Sequence, residues 1–159
     1  MNANPAPSAA DKMIGFQSSA IVRELPRAEM LAKGLPLRWW GEFLRDLTCC
    51  SAIAGRFVIP DGFLTDGASV PRPVWALLDN SDPDILYPAF AHDFLYSMRG
   101  EMPGRVLTRQ QCDAVLAEQM EVVGAPRWKI ATVYRALRIA GGVAWANQST
   151  RNAKLGAVV

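Results

Sequence analysis

The chain reads as an α+β fold in which a small antiparallel sheet from the N-terminal half carries about four helices from the C-terminal half. Three observations predict it. Up to about residue 60, apolar and polar residues alternate in short β-rich runs. After Ser69, prolines stand where helices open and glycines where they close, and one stretch carries a capping box. The order, strands first and helices afterwards, packs the helices on one side of the sheet.

Residues 1–12 are mostly Ala, Pro, Ser and Asn, too poor in bulky apolar groups to offset their own ordering entropy, and read as a flexible arm. Residues 13–147 form the single domain, and residues 148–159 a polar C-terminal tail. From Ile14 to Leu47 two or three strands are expected, in Gln17–Arg23 and Leu37–Arg45. Arg56–Pro60 is a further strand, closed by the Pro60-Asp61-Gly62 turn signal, with residues 48–55 as the connector of a hairpin. Pro71–Leu78 predicts a short helix capped by Ser69. Pro88 opens a second helix to about Met98, placing His92, Leu95, Tyr96 and Arg99 on one face. Thr108-Arg-Gln-Gln111 caps a third that ends at Gly124. Pro126 opens the last, reaching Ala146, with Trp128, Thr132, Arg135, Ile139 and Gly142 sharing a face.

Composition excludes several function classes. A chain of 159 residues fits one domain. It buries about 68–70% of its unfolded surface, so it needs neither disulfides nor a metal to hold together. Seventeen Lys+Arg against fifteen Asp+Glu leave a charge of +2, too weak for a dedicated nucleic-acid binder. His92 is the one histidine, which excludes every site built on two or more. Cys49, Cys50 and Cys112 are an odd set with two adjacent members, and read as structural thiols in a reducing compartment. The N-terminus lacks a secretory pattern. Ile130–Ala146 is broken by Arg135 and Arg138, so no membrane span is expected.

Two segments concentrate reactive side chains, Gly62–Arg72 and Ala91–Tyr96. Asp66 and Ser69 lie in a strand-to-helix loop, where they serve either as turn and cap residues or as presented functional groups. His92 is either a hydrogen-bonded core histidine or a proton-transfer group. Asp93 points about 100° away from it on a helix, so both can border one cleft without pairing. Arg109 and Asp113 stand at i, i+4, the spacing of a surface salt bridge. If the second and third helices pack antiparallel, Asp113 instead approaches His92 and Asp93, making a cluster with Asp66. Its oxygen-rich composition suits Mg²⁺ or Mn²⁺ better than Zn²⁺. Ser69 with His92 and an aspartate is the covalent version, although no nucleophile elbow surrounds Ser69. Thirteen of the seventeen basic residues are arginine, and five tryptophans accompany them, the residue types that concentrate energy at protein interfaces.

Phe63–Arg72, His92–Tyr96, Arg109 with Asp113, and Met120 with Gly124 together resemble the phage and prophage domain-of-unknown-function family 1353. The likeness spans about residues 35–146 and includes Thr65, Asp66, Ser69, Pro71, Arg72, His92, Asp93, Tyr96, Arg109 and Asp113. Gly67 and Phe94 fall where members often carry other small or aromatic residues. The resemblance implies an antiparallel start followed by helices and a tailed-phage origin, but no reaction.

Two functions follow as expectations. One is a virion or assembly protein, acting through contacts with other phage structural proteins and with copies of itself, without a cofactor. The other is a small phage hydrolase of cell-wall or nucleotide substrates, with Asp66, His92, Asp93 and Asp113 as candidate catalytic residues and Ser69, Arg72, Tyr96 and Arg109 as binding residues. The virion or the host cytoplasm is the expected location. Convergence of these side chains in an open pocket favours the hydrolase; burial with mutual satisfaction favours assembly.

Overall fold

The computed structural model describes residues 14–35, 41–65 and 83–155, with side chains only up to 146 in the last helix. The elements run β1 (Gly15–Phe16), β2 (Val22–Glu24), α1 (Arg27–Ala32), β3 (Gly41–Phe43), β4 (Leu47–Ser51), β5 (Gly55–Ile59), β6 (Leu64–Thr65), α2 (Pro83–Ser97), β7 (Glu101–Met102), β8 (Arg105–Val106), α3 (Arg109–Val122) and α4 (Arg127–Leu155). The fold is α+β and every sheet is antiparallel. Among the described residues the strands form three small sheets rather than one, ordered β1-β4-β5, β2-β3-β6 and β7-β8.

Strand β4 corrects the expectation that residues 48–55 merely connect. Leu47–Ser51 is the central strand of its sheet, pairing Cys49 with Phe16 on one side and Phe57 on the other. Cysteine packs as a small hydrophobe, which suits a strand covered on both faces. The turn is confined to residues 52–54, where Ser51 Oγ accepts from the N–H groups of Ile53 and Ala54, both at 3.0 Å. Strand β5 keeps the expected alternation, with Phe57 and Ile59 inward and Arg56 and Val58 outward.

Of the run expected as strand over Gln17–Arg23, only its end is strand, in β2 (Val22–Glu24), which joins β3; β1 lies before the run, at Gly15–Phe16, and joins β4. Within Leu37–Arg45 the strand is Gly41–Phe43, and residues 36–40 lie outside the described set. Between them, α1 was not foreseen. Pro26 fixes the extended turn before its first residue and Gly34 follows its last, a short bracket hidden among β-like runs. The Pro71–Leu78 helix, the Ser69 cap and residues 1–13 also lie outside the described residues.

Helix α2 begins at Pro83 and not at Pro88, which sits inside it. Pro83 occupies the first-turn position where a missing N–H costs nothing. Pro88 forgoes one intrahelical bond, and burial of Ile85, Ala89 and Phe90 around it offsets that loss. Helix α3 has the expected capping box: Thr108 Oγ1 accepts from Gln111 N at 3.2 Å, and Gln111 Oε1 accepts from Thr108 N at 2.9 Å. Helix α4 runs past Ala146 to Leu155, since residues 147–155 contain neither Gly nor Pro to stop it. Its face of Trp128, Arg135, Ile139 and Gly142 looks outward, while Lys129, Val133, Leu137 and Gly141 pack inward.

Helix α2 holds the layers together. Phe90 meets Phe43 of the β2-β3-β6 sheet at 5.1 Å between centroids, and Phe94 stacks on Phe57 of the β1-β4-β5 sheet at 6.1 Å. Its other side shares a core with α3 and α4, in which Ile85 and Ala89 join Leu116, Met120, Val133 and Leu137. The early residues of α2 therefore meet the late residues of α3, the antiparallel arrangement expected. Helix α3 also grips β4 and the turn after it, through Gln119 Nε2 donating to the Cys50 carbonyl at 2.9 Å and Glu118 accepting from Ala52 N at 3.0 Å. No helix among the described residues is long and apolar enough to cross a membrane.

Candidate functional site

One turn of α2 sets His92 and Tyr96 one above the other, their rings 4.0 Å apart between centroids. Facing them is Asp113, in the second turn of α3, where the Thr108 cap fixes the helix register. All three side chains are wholly buried. His92 Nε2 lies 3.1 Å from Asp113 Oδ1, and the Tyr96 hydroxyl donates to the same oxygen at 2.5 Å. Arg138 reaches in from α4 and donates to Oδ2 at 2.7 Å. One carboxylate thus joins three helices.

Burial alone would push the Asp113 carboxyl up, but the hydrogen bonds from His92, Tyr96 and Arg138 outweigh it and hold the group below the usual carboxylate range. Burial, then the bond to Asp113 and its charge, push the Tyr96 phenol up, so it stays a donor. The bond to Asp113 leads in pushing Arg138 further up. Because an ionised carboxylate only accepts, His92 presents Nε2–H to it. Its other nitrogen, Nδ1, is buried and has no hydrogen-bond partner among the described residues.

Arg109 departs from the surface-bridge expectation. Its Nη1 stands 3.9 Å from Asp113 Oδ2, while the guanidinium donates to the α4 carbonyls of Leu137 at 3.0 Å and Arg138 at 3.2 Å. It clamps α3 to α4. Asp93 serves a separate contact: one residue beyond His92 and rotated away from it, its Oδ2 accepts from Thr65 Oγ1 of β6 at 2.7 Å, both residues being buried.

The structure therefore gathers His92, Tyr96, Asp113 and Arg109, and sends Asp93 to the sheet instead of to Asp113. Asp66, Ser69 and Arg72 lie outside the described residues. Among the described residues no group of three His, Cys, Asp or Glu is placed to hold a metal ion. Sequence reasoning missed Arg138 and Thr65 as partners, because only the fold brings α4 to Asp113 and β6 to Asp93. It also missed Gly141, whose signal was a Gly-Gly pair inside an otherwise uninterrupted helix. A Cβ there would sit 2.9 Å from Tyr96 Oη and 3.2 Å from Arg109 Nη1.

Trp145 covers Tyr96 from the same helix, edge to face at 5.0 Å. The Tyr96 hydroxyl, pinned to Asp113, cannot swing aside for a new methyl group. Gly141→Ala gains about 1 kcal/mol in helix propensity but overpacks the contact at about 1–3 kcal/mol. Its melting temperature is expected to fall slightly, whereas Gly142→Ala, which meets nothing within 4 Å, is expected to raise it. Thermal melts of the two variants side by side check this; a stabilised Gly141→Ala would refute the close approach.

The cysteines stay chemically quiet. Burial, then the neighbouring Cys50, push Cys49 up to about 12, and burial, then the Asp113 charge, push Cys112 up to about 12.

A family model described as "Protein of unknown function (DUF1353)" matches residues 42–137, the stretch that contains His92, Asp93, Tyr96, Arg109 and Asp113. No curated protein and no solved structure matches the chain.

Proposed function

Since the chain belongs to the DUF1353 family of proteins of unknown function, we propose from its side chains that it acts by binding a protein partner, as a virion-associated or assembly component of a tailed phage. One observation carries the reading. The reactive cluster is sealed, with His92, Tyr96 and Asp113 fully buried and every oxygen of Asp113 occupied by a donor. Such a network fixes three helices and does not meet a substrate.

The outward face of α4 supplies the binding surface. Trp128, Ile139 and Val143 are 63%, 86% and 71% exposed. Arg127 and Arg135 accompany them, and the helix contains no Asp or Glu. Trp and Arg anchors on an apolar stripe fit an acidic, partly apolar partner surface. The phage setting comes from the resemblance of the motifs.

A second reading, the small hydrolase, is favoured by His92 Nδ1. A histidine oriented by a carboxylate through one nitrogen and unpartnered at the other is the arrangement of a general base. Two variants separate the readings. Trp128→Glu with Ile139→Glu is expected to melt like the parent and to be lost from particles. His92→Gln, which keeps a donor for Asp113 and removes the base, is expected to be incorporated and to support infection. A face variant that functions normally beside a His92→Gln protein that folds and fails would replace the binding reading with the hydrolase.

A further inference from the structure

Strand β5, the end of α2 and the β7-β8 hairpin line a half-open cavity of about 590 Å³, apart from the Asp113 network. Its inner lining is apolar, formed by Phe57 of β5, Phe94 of α2, Met98 just beyond it and Met102 of β7. Phe57 and Phe94 stack with their planes within 2° of each other, so the lining includes a pair of parallel aromatic rings. The methionines supply flexible thioethers that adapt to what they cover. The volume falls in the range of small-molecule sites, about 300–1,000 Å³.

The mouth of this cavity carries an arginine held in place but not neutralised. Arg105 Nη1 donates to the Ile53 carbonyl at 3.0 Å. The position of a Cβ on Gly55 would lie 3.4 Å from Nη1 and 3.5 Å from both Cζ and Nη2, so the guanidinium lies flat against that glycine. No other hydrogen bond or ion pair engages Arg105 among the described residues. Arg56 and Glu101 also line the cavity. A fixed guanidinium with unused donors at the edge of an apolar hollow matches a planar anion attached to an apolar body.

We propose that this cavity binds a small amphiphile, its anionic head on Arg105 and its apolar body against Phe57, Phe94, Met98 and Met102. The site shares no side chain with the α4 face, so it stands or falls independently of the partner-binding reading. Decanoate below its micelle concentration is the probe, titrated into the full chain with methyl-labelled methionine. Saturable shifts are expected at Met98 and Met102, with the buried Met30 and Met120 unmoved. 1-Decanol, lacking the charge, is expected to bind about tenfold more weakly, and Arg105→Gln to weaken decanoate about tenfold without changing decanol. Met98→Trp, which fills the hollow, is expected to abolish binding while leaving the melting temperature nearly unchanged. Equal affinity for acid and alcohol, shifts at all four methionines, or no saturable shift would overturn the proposal. Should Arg105→Gln fail to fold, the acid-to-alcohol ratio decides alone.

Discussion

Asp113→Ala is expected to cost about 3–5 kcal/mol, the range for removing one partner from a buried ionic network. Three donors, from His92, Tyr96 and Arg138, lose their acceptor together, and the first two have no solvent to turn to. A domain of this size has about 5–15 kcal/mol in all, so the variant sits near the edge of folding. Its melting temperature is expected to drop by roughly 2–4 °C for each kcal/mol lost. Acid adds a second signature. The folded-state carboxyl is held below its ordinary value, so the unfolded chain takes up the proton first as pH falls. The stabilisation is complete above the unfolded-state value near 4 and disappears as pH drops through the lowered folded value. Urea melts from pH 7 to pH 3 are expected to bring the parent and Asp113→Asn together only below about pH 4. A difference between the two that stays constant through that window would exclude the ionised carboxylate as the source.

Gly100→Ala is expected to follow, at about 2–5 kcal/mol. The residue follows α2 with φ +75°, directly after Arg99 at φ +53°, so the chain leaves the helix through two consecutive left-handed residues. An alanine there pays about 1–2 kcal/mol for the backbone alone. Its Cβ would also fall 2.0 Å from the Leu107 carbonyl oxygen. That oxygen cannot retreat easily, because the Leu107 N–H donates to Gly100 O at 2.8 Å and ties the hairpin to the helix end. Overpacking against fixed backbone adds about 1–3 kcal/mol. Thermal melting tests the size of the effect, and hydrogen exchange at Leu107 tests its location. A variant that melts like the parent would mean that the hairpin can dock without this turn.

Where local chemistry dictates structure, the sequence is legible. Thr108 and Gln111 cap each other through atoms three residues apart, and Gly124 stops the same helix, so α3 is readable without knowing its neighbours. The spacing of His92 and Tyr96 likewise puts them on one face before any packing is known. What packing decides is not readable. Pro88 looks like a helix start because its cost is local, and only the buried neighbours Ile85 and Ala89 make it tolerable inside α2. Residues 48–55 look like a connector because small residues and Gly55 fill the stretch after Cys49 and Cys50, and only pairing with β1 on one side and β5 on the other makes β4 central. Arg138 is indistinguishable in sequence from Arg135, four residues from Ile139 or one, yet one reaches a buried carboxylate and the other faces outward.

The three quiet thiols turn the interior into a timing device. Cys49 and Cys50 sit in the central strand and Cys112 in the capped helix, each buried and without a disulfide. A thiol reagent reaches none of them until its element opens, so modification measures opening and not surface reactivity. Mass spectrometry after brief labelling assigns each event to the strand layer or the helical layer. Matched rates identify a single cooperative unit; earlier modification at Cys112 identifies helices that part while the sheet still holds.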